Sequence, residues 1–282
     1  MPKGSQFIVH ASGETTHYIA DDFTDPWNPD RQTILLQGGF ARHAAFFYHW
    51  VPALSRHYNV IRRDLRGHGY SSAPSILKKP DAYTLDAILG DIIDMLDQLG
   101  IEKVHFFGES TSGMLGEILA AKYPERFHSL TICSSPAYLR EGTQVFLAFG
   151  EESFPMACRN LGSQGWASRL KSYPGTMAHP DPGYHRWWLE QISVNSGEGL
   201  ASYAEFLSTL DARPFLSQIQ IPVLILAPAN SAATTLEEQG AIQRQIRGSK
   251  LVVVEGRGHE IYVDKAAECV GEMLEFIRGL QG

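Results

Sequence analysis

The chain has 282 residues, 44% of them hydrophobic, and a formal net charge of −7. This length and apolar content suit one α/β domain with an inserted cap, and the negative charge argues against nucleic acid as a partner because phosphates would be repelled. There is no apolar run long enough to cross a membrane and no signal-peptide pattern in residues 1–5, so we expect a cytoplasmic protein that makes no membrane contact.

The first predicted elements are a hairpin and a strand that ends in two glycines. Residues 6–20 predict the hairpin, with Gly13 at its turn, and the Asp- and Pro-rich segment 21–30 links it to an apolar strand at 33–37. Glycine lets the backbone approach a ligand closely. We therefore predict the N–H of Gly39 as one oxyanion donor, with the N–H of Phe40 as the alternative if the loop is shifted by one residue.

A strand then breaks sharply into a helix at Ser110. A helix containing residues 91–100 and a strand at 102–107 precede the phrase Gly-Glu-Ser-Thr-Ser-Gly at 108–113, and a helix at 114–123 follows it. Such a turn strains the serine backbone and projects its hydroxyl above the sheet. We predict Ser110 as the nucleophile and the N–H of Thr111 as the second oxyanion donor. The alternative for Ser110 is a helix N-cap.

A histidine follows the last predicted strand. Residues 251–254 form this strand, a Gly-rich loop ends in His259, and a terminal helix is expected over 266–280. A histidine flanked by glycine at this point can swing over a strand-top serine, and its pKa near neutrality suits a general base. We predict His259 as that base, the alternative being a solvated surface histidine.

Together these segments resemble the α/β-hydrolase superfamily over nearly the whole chain. Three further phrases carry the resemblance: Arg-Asp-Leu-Arg-Gly-His-Gly-Tyr-Ser at 63–71, Tyr-Pro-Glu-Arg-Phe at 123–127 and Ile-Pro-Val-Leu-Ile-Leu at 221–226. The resemblance implies a mostly parallel eight-stranded sheet flanked by helices, with an inserted helical cap. It implies core segments at 1–135 and 209–282, a cap at 136–208, and the roles given above for Ser110, His259, Gly39 and Thr111.

The chain departs from this family at the catalytic acid. The family places that acid after the seventh strand or, in some members, after the sixth, but residues 227–233 read Ala-Pro-Ala-Asn-Ser-Ala-Ala and residues 133–136 read Cys-Ser-Ser-Pro. Asn230 and Glu109 are our candidates to orient His259, with a bond to a neighbouring loop as the alternative for Glu109. A Ser-His pair with a neutral orienting group is the other possibility. Weaker acid candidates are Asp64, Asp211, Glu141 and Asp264.

The predicted cap is rich in aromatic residues. Part of this content packs the cap on the core, and the rest implies a hydrophobic or aromatic acyl or alcohol group as ligand. The aromatic residues are Tyr138, Phe146, Phe149, Phe154, Trp166, Tyr173, Tyr184, Trp187, Trp188, Tyr203 and Phe206.

These observations predict a serine hydrolase that needs no cofactor and no metal. It would cleave a small to medium apolar or aromatic ester or lactone through an acyl-enzyme on Ser110, as a monomer or homodimer. The alternatives are a carbon–carbon bond hydrolase or cofactor-free dioxygenase of the same fold, and a hydrolase-derived protein that binds a small ligand. Cys133, Cys158 and Cys269 are widely spaced and predict reduced packing residues.

Overall fold

One mixed sheet forms the centre of the molecule in the computed structural model, which describes residues 1–27, 31–177 and 179–280. Within these residues the sheet has eight strands in the order β1-β2-β4-β3-β5-β6-β7-β8. β2 is antiparallel to both β1 and β4, and all the other neighbouring strands are parallel. The strands are β1 Ser5–Val9, β2 Thr15–Asp21, β3 Thr33–Gln37, β4 Asn59–Arg63, β5 Val104–Glu109, β6 Phe127–Cys133, β7 Val223–Pro228 and β8 Lys250–Val254.

Helices flank this sheet and explain why its central strands are apolar throughout. Every residue of β3, β5 and β7 is buried, as expected for parallel strands that are covered on both faces. The helices are α1 Val51–Leu54, α2 Leu85–Gln98, α3 Thr111–Lys122, α4 Glu141–Ala148, α5 Phe154–Lys171, α6 Pro182–Ile192, α7 Gly197–Thr209, α8 Arg213–Leu216, α9 Leu236–Gln245, α10 Ile261–Asp264 and α11 Ala266–Gly279. The predicted fold class is confirmed.

The predicted elements occur in the expected order, with shifted ends. The hairpin is confirmed by the pairing of β1 with β2. Residues 91–98 of the predicted helical segment belong to the longer helix α2, which ends at Gln98, and α3 begins at Thr111 rather than at residue 114 because the turn at Ser110 leads directly into it. Residues 28–30 of the predicted linker, and 281–282 at the end of the second core segment, lie outside the described residues.

Helices α4 to α7 lie between β6 and β7, in the segment expected to form a cap. α5 packs against α4 and α7, and its residues Phe154 and Trp166 place their rings 4.8 and 5.1 Å from the ring of Phe40. This insertion therefore contacts the loop that follows β3. The exact division into core and cap stays a prediction.

Two further expectations concern cysteines and membranes. The three cysteines are buried and unpaired, in agreement with a packing role. No helix within the described residues has the length and apolarity that a bilayer crossing requires.

Candidate active site

Ser110 lies at a strained turn between β5 and α3. Its backbone has φ 53° and ψ −126°, a region that costs a residue with a side chain on the order of 1–3 kcal/mol, and its hydroxyl does not cap the helix. Gly108 makes the turn possible, because a Cβ at this position would lie only 2.6 Å from the carbonyl oxygen of Ser112, and a Cβ on Gly113 would lie 2.1 Å from Ser135 Oγ in the loop after β6. The hydroxyl of Ser112 donates to the carbonyl of Gly38 at 2.6 Å and ties the elbow to the loop after β3. The bond gives the buried hydroxyl of Ser112, the residue before Gly113, a hydrogen-bond partner.

His259 faces Ser110 from the loop after β8. Its Nε2 lies 2.9 Å from Ser110 Oγ. The histidine backbone is fixed from two sides, since its carbonyl accepts from Ser134 Oγ at 2.7 Å and its N–H donates to the carbonyl of Gly175 at 3.0 Å. The two predicted catalytic residues are therefore brought into hydrogen-bond contact by segments that are far apart in sequence.

The second ring nitrogen of His259, Nδ1, faces the hydroxyl of Ser231. Ser231 Oγ lies 3.0 Å from His259 Nδ1, in the loop after β7 where the family places its acid. Asn230 differs from the sequence expectation, because its amide donates to the carbonyl of Gly256 at 3.2 Å instead of facing the imidazole. Ser231 was not identified from the sequence. Its place in the 227–233 loop, where the family has its acid, was the feature that could have pointed to it.

Glu109 approaches His259 from the side of Ser110. Its Oε1 is 3.8 Å from His259 Nε2, so it does not reach the nitrogen that an orienting group must hold. Its Oε2 instead accepts the N–H of Gly39 at 2.8 Å. The bond to a neighbouring loop, the alternative given above for this residue, is thus present.

The backbones of the predicted oxyanion donors, Gly39 and Thr111, lie beside Ser110. A Cβ on Gly39 would lie 2.8 Å from Ser110 Cβ, which shows how closely this backbone approaches the elbow. Thr111 opens α3, so its N–H belongs to the first turn, where helical N–H groups have no partner inside the helix. The alternative donor, Phe40, gives its N–H to Thr111 Oγ1 at 3.0 Å.

No weaker acid candidate contacts the imidazole. Within the described residues, the hydrogen bonds and ion pairs of the His259 ring involve only Ser110, Ser231 and Glu109. The four acids that stay outside this set are Asp64, Asp211, Glu141 and Asp264.

Burial shifts the pKa of both titratable groups at the centre. Burial lowers the pKa of His259 to about 4, and the positive charge of Arg42 adds to this effect. Burial also raises the pKa of Glu109 to about 7, although Arg42 and the Gly39 N–H oppose the rise. The imidazole is therefore neutral at pH 7 and available as a base, whereas Glu109 titrates close to that pH.

A buried ion pair connects the site to the inserted helices. Glu260 Oε1 accepts from Arg42 Nε at 3.0 Å and from Trp188 Nε1 at 2.9 Å, and Oε2 accepts from the hydroxyl of Tyr184 at 3.3 Å. Burial by itself would lower the pKa of Arg42, but the surrounding acidic groups, Glu260 first among them, together more than offset it and raise the pKa above its ordinary value. The charge of Arg42 is thus compensated by Glu260 rather than left free.

A cavity of about 70 Å³, partly open to solvent, lies over Ser110. The insertion and the core both contribute to its walls, which are mostly apolar away from the reacting groups. The lining residues are Phe40, Arg42, Glu109, Ser110, Thr111, Pro136, Leu139, Thr143, Phe146, Leu147, Trp166, Leu170, Thr176, Ala233 and His259.

The family model described as the alpha/beta hydrolase fold matches residues 32–175, and a model described as TAP-like protein matches residues 208–278. The first match covers half of the chain. The protein therefore belongs to the α/β-hydrolase family and is a hydrolase.

Similar proteins are hydrolases with several different substrates. The chain is 28% identical to 3-oxoadipate enol-lactonase 2 of Acinetobacter baylyi over 243 residues. The matched region covers 86% of this chain and 87% of that protein. It is 32% identical over 128 residues to epoxide hydrolase 4 of Mus musculus, covering 45% of this chain and 33% of that protein. The crystal structure of the enol-lactonase from Burkholderia xenovorans LB400 has a TM-score of 0.83 at 23% identity, covering 97% of this chain and all of that one. At that identity the likeness shows the fold alone.

Proposed function

We propose that the protein hydrolyses a carboxylic ester or lactone through an acyl-enzyme on Ser110. The observation that carries this proposal is the contact of 2.9 Å between Ser110 Oγ and His259 Nε2 at a strained turn. A serine hydroxyl is a weak nucleophile until an adjacent base accepts its proton. A largely buried, neutral imidazole at this distance meets that requirement.

The reaction proceeds in two halves. In the first, Ser110 Oγ attacks the carbonyl carbon, its proton passes to His259 Nε2, and the N–H of Thr111 donates to the oxyanion. The N–H of Gly39, the other donor expected from the sequence, is given to Glu109 Oε2. The tetrahedral intermediate collapses, and the leaving alkoxide takes the proton from His259. Water then attacks the acyl-enzyme with His259 as base and releases the acid. Throughout, Ser231 Oγ is the partner of Nδ1 that holds the imidazole in place.

The pocket supports a neutral, apolar substrate. Within the described residues its lining carries one cationic side chain, Arg42, and Glu260 already holds that charge. A substrate with a free carboxylate would meet Glu109 and no uncompensated cation. Phe40, Phe146 and Trp166 offer ring surface to an aliphatic or aromatic group instead. The enol-lactonase names of two similar proteins favour lactones for the first substrate panel.

Opening of an epoxide is not supported, despite the similarity to epoxide hydrolases over part of the chain. That chemistry needs a carboxylate nucleophile at the elbow, where this chain has Ser110.

Intact-mass spectrometry after incubation with a fluorophosphonate tests the proposal. We expect one adduct per chain in the wild type, and none in Ser110→Ala, whose fold should be retained because only a hydroxyl is removed. His259→Ala should label much more slowly. Circular dichroism of both variants checks folding. A folded wild-type protein that remains unlabelled would refute the activated serine and favour proton-abstraction chemistry or ligand binding.

A further inference from the structure

Glu109 places a carboxyl group at the predicted oxyanion hole. It is the last residue of β5, immediately before the nucleophile, and it is only 2% exposed. Its Oε2 accepts the N–H of Gly39, and its Oε1 lies 3.8 Å from the His259 nitrogen that receives the Ser110 proton. One oxygen is thus held by a backbone donor, and the other is directed towards the reacting groups.

Within the described residues the ion-pair partner of this carboxyl is His259, whose pKa is lowered by burial to about 4, so the pair carries no positive charge at pH 7. The charged or titratable groups near it are Arg42 after β3, Cys133 on β6, and His259, Glu260 and Tyr262 after β8. Arg42 is held by Glu260 through two of its nitrogens, and Glu260 itself repels a negative charge on Glu109. Burial without a paired cation favours the neutral acid.

The protonation state of Glu109 decides its effect on the reaction. A carboxylate here would repel the negative oxygen that forms when Ser110 attacks. A neutral carboxylic acid would instead donate a hydrogen bond to that oxygen, as acids held neutral by apolar sites can do. The same side chain therefore opposes the reaction when ionised and assists it when protonated.

We propose that Glu109, as a neutral carboxylic acid, donates the hydrogen bond of its O–H to the substrate carbonyl oxygen while the N–H of Gly39 holds its other oxygen. This proposal rests on the proposed function. Ser110 Oγ forms a bond to the carbonyl carbon, and the carbonyl π electrons move to the oxygen held by Glu109 and by the Thr111 N–H. The serine proton moves to His259, and the Glu109 proton stays on Glu109. In this arrangement Gly39 acts on the substrate through Glu109 rather than directly.

The dependence of kcat/KM on pH, measured with p-nitrophenyl butyrate, tests this role in three proteins. In the wild type we expect activity to fall about tenfold for each pH unit above pH 7, as Glu109 ionises. Glu109→Gln, whose amide donates and does not titrate, should keep activity within about tenfold of the wild-type plateau and lose this alkaline decline. Glu109→Ala should lose about 10²- to 10³-fold, the usual effect of removing one oxyanion donor.

Two kinetic results would overturn the proposal. If Glu109→Ala is faster than the wild type at pH 8, the carboxyl only obstructs the hole. If Glu109→Gln retains the alkaline decline, another group causes it.

An infrared difference spectrum between the wild type and Glu109→Gln at pH 6 tests the protonation state independently of turnover. The carbonyl band of a neutral acid supports the proposal, and a carboxylate pair of bands contradicts it. Because fluorophosphonate labelling is measured separately, failure of Ser110 as nucleophile is distinguished from failure of Glu109 as donor.

Discussion

Replacing Ser231 with aspartate should convert the neutral partner of His259 into a carboxylate. Ser231 Oγ lies 3.0 Å from Nδ1, and the same oxygen accepts the N–H groups of Ala233 at 3.1 Å and Thr234 at 3.2 Å. A carboxylate introduced here thus finds two backbone donors that stabilise its charge. The loop is partly exposed, so the added charge is not forced into a closed core.

The expected gain in kcat/KM is worked out from the pKa of His259. The pKa of His259 is about 4, and an opposite charge within hydrogen-bond distance raises a histidine pKa by about one to three, to between about 5 and 7. In a serine protease, exchange of the carboxylate for an amide costs about 10⁴ in kcat. Because an aspartate is longer than the serine it replaces and the loop must adjust, we expect a smaller gain, about 10- to 10³-fold in kcat/KM.

The assay is p-nitrophenyl butyrate hydrolysis from pH 4 to pH 8, together with NMR titration of the His259 ring. Ser231→Asn is the matched control, since it has nearly the same shape without the charge. The sign is fixed by linkage: His259 must be neutral to act as base, so a higher pKa moves the acid limb of the profile to higher pH. Equal rates for the aspartate and asparagine variants, with both folded, would refute the reasoning that Ser231 occupies the position of the catalytic acid.

Two further predictions concern stability. Glu117 is buried and neither of its carboxyl oxygens has a partner within the described residues, so Glu117→Met should stabilise the protein by about 1–3 kcal/mol in urea unfolding. Burial raises the folded-state pKa of Glu117 above its ordinary value, so wild-type stability falls as pH rises above about 4.5; the advantage of the variant should be larger at pH 8 than at pH 5, and an equal advantage would contradict this account. Glu260→Gln leaves the buried Arg42 without its counter-ion and should cost about 3–5 kcal/mol, whereas a loss below 1 kcal/mol would show that the pair is not needed for folding.

Local sequence was sufficient to predict most of the architecture. The central strands are buried on both faces, so their apolar runs are visible without any knowledge of their neighbours. The turn at Ser110 was also predictable from local sequence, because Gly108, whose missing Cβ leaves room for the carbonyl of Ser112, lies only two residues before it. The ends of helices and strands were less accurate, since they depend on capping and on pairing with other segments.

The residue that contacts Nδ1 of His259 was decided only by the tertiary structure. Several small polar residues follow β7, and sequence order does not tell which of them faces the imidazole. The path of this loop is set by Gly175, whose carbonyl accepts the N–H groups of both Ala232 and His259. That contact places Ser231, and not Asn230, against Nδ1.

Glu109 illustrates the same limit at shorter range. The sequence alone determined that a carboxyl group stands next to Ser110. The direction of its side chain depends on the loop after β3, which supplies the N–H of Gly39 from a different strand of the sheet. Local sequence therefore determined the strands, the turn at Ser110 and the chemical groups available. The contacts among those groups were set by the tertiary structure, because hydrogen bonds form between atoms that are close in space, and here those atoms belong to segments that are distant in sequence.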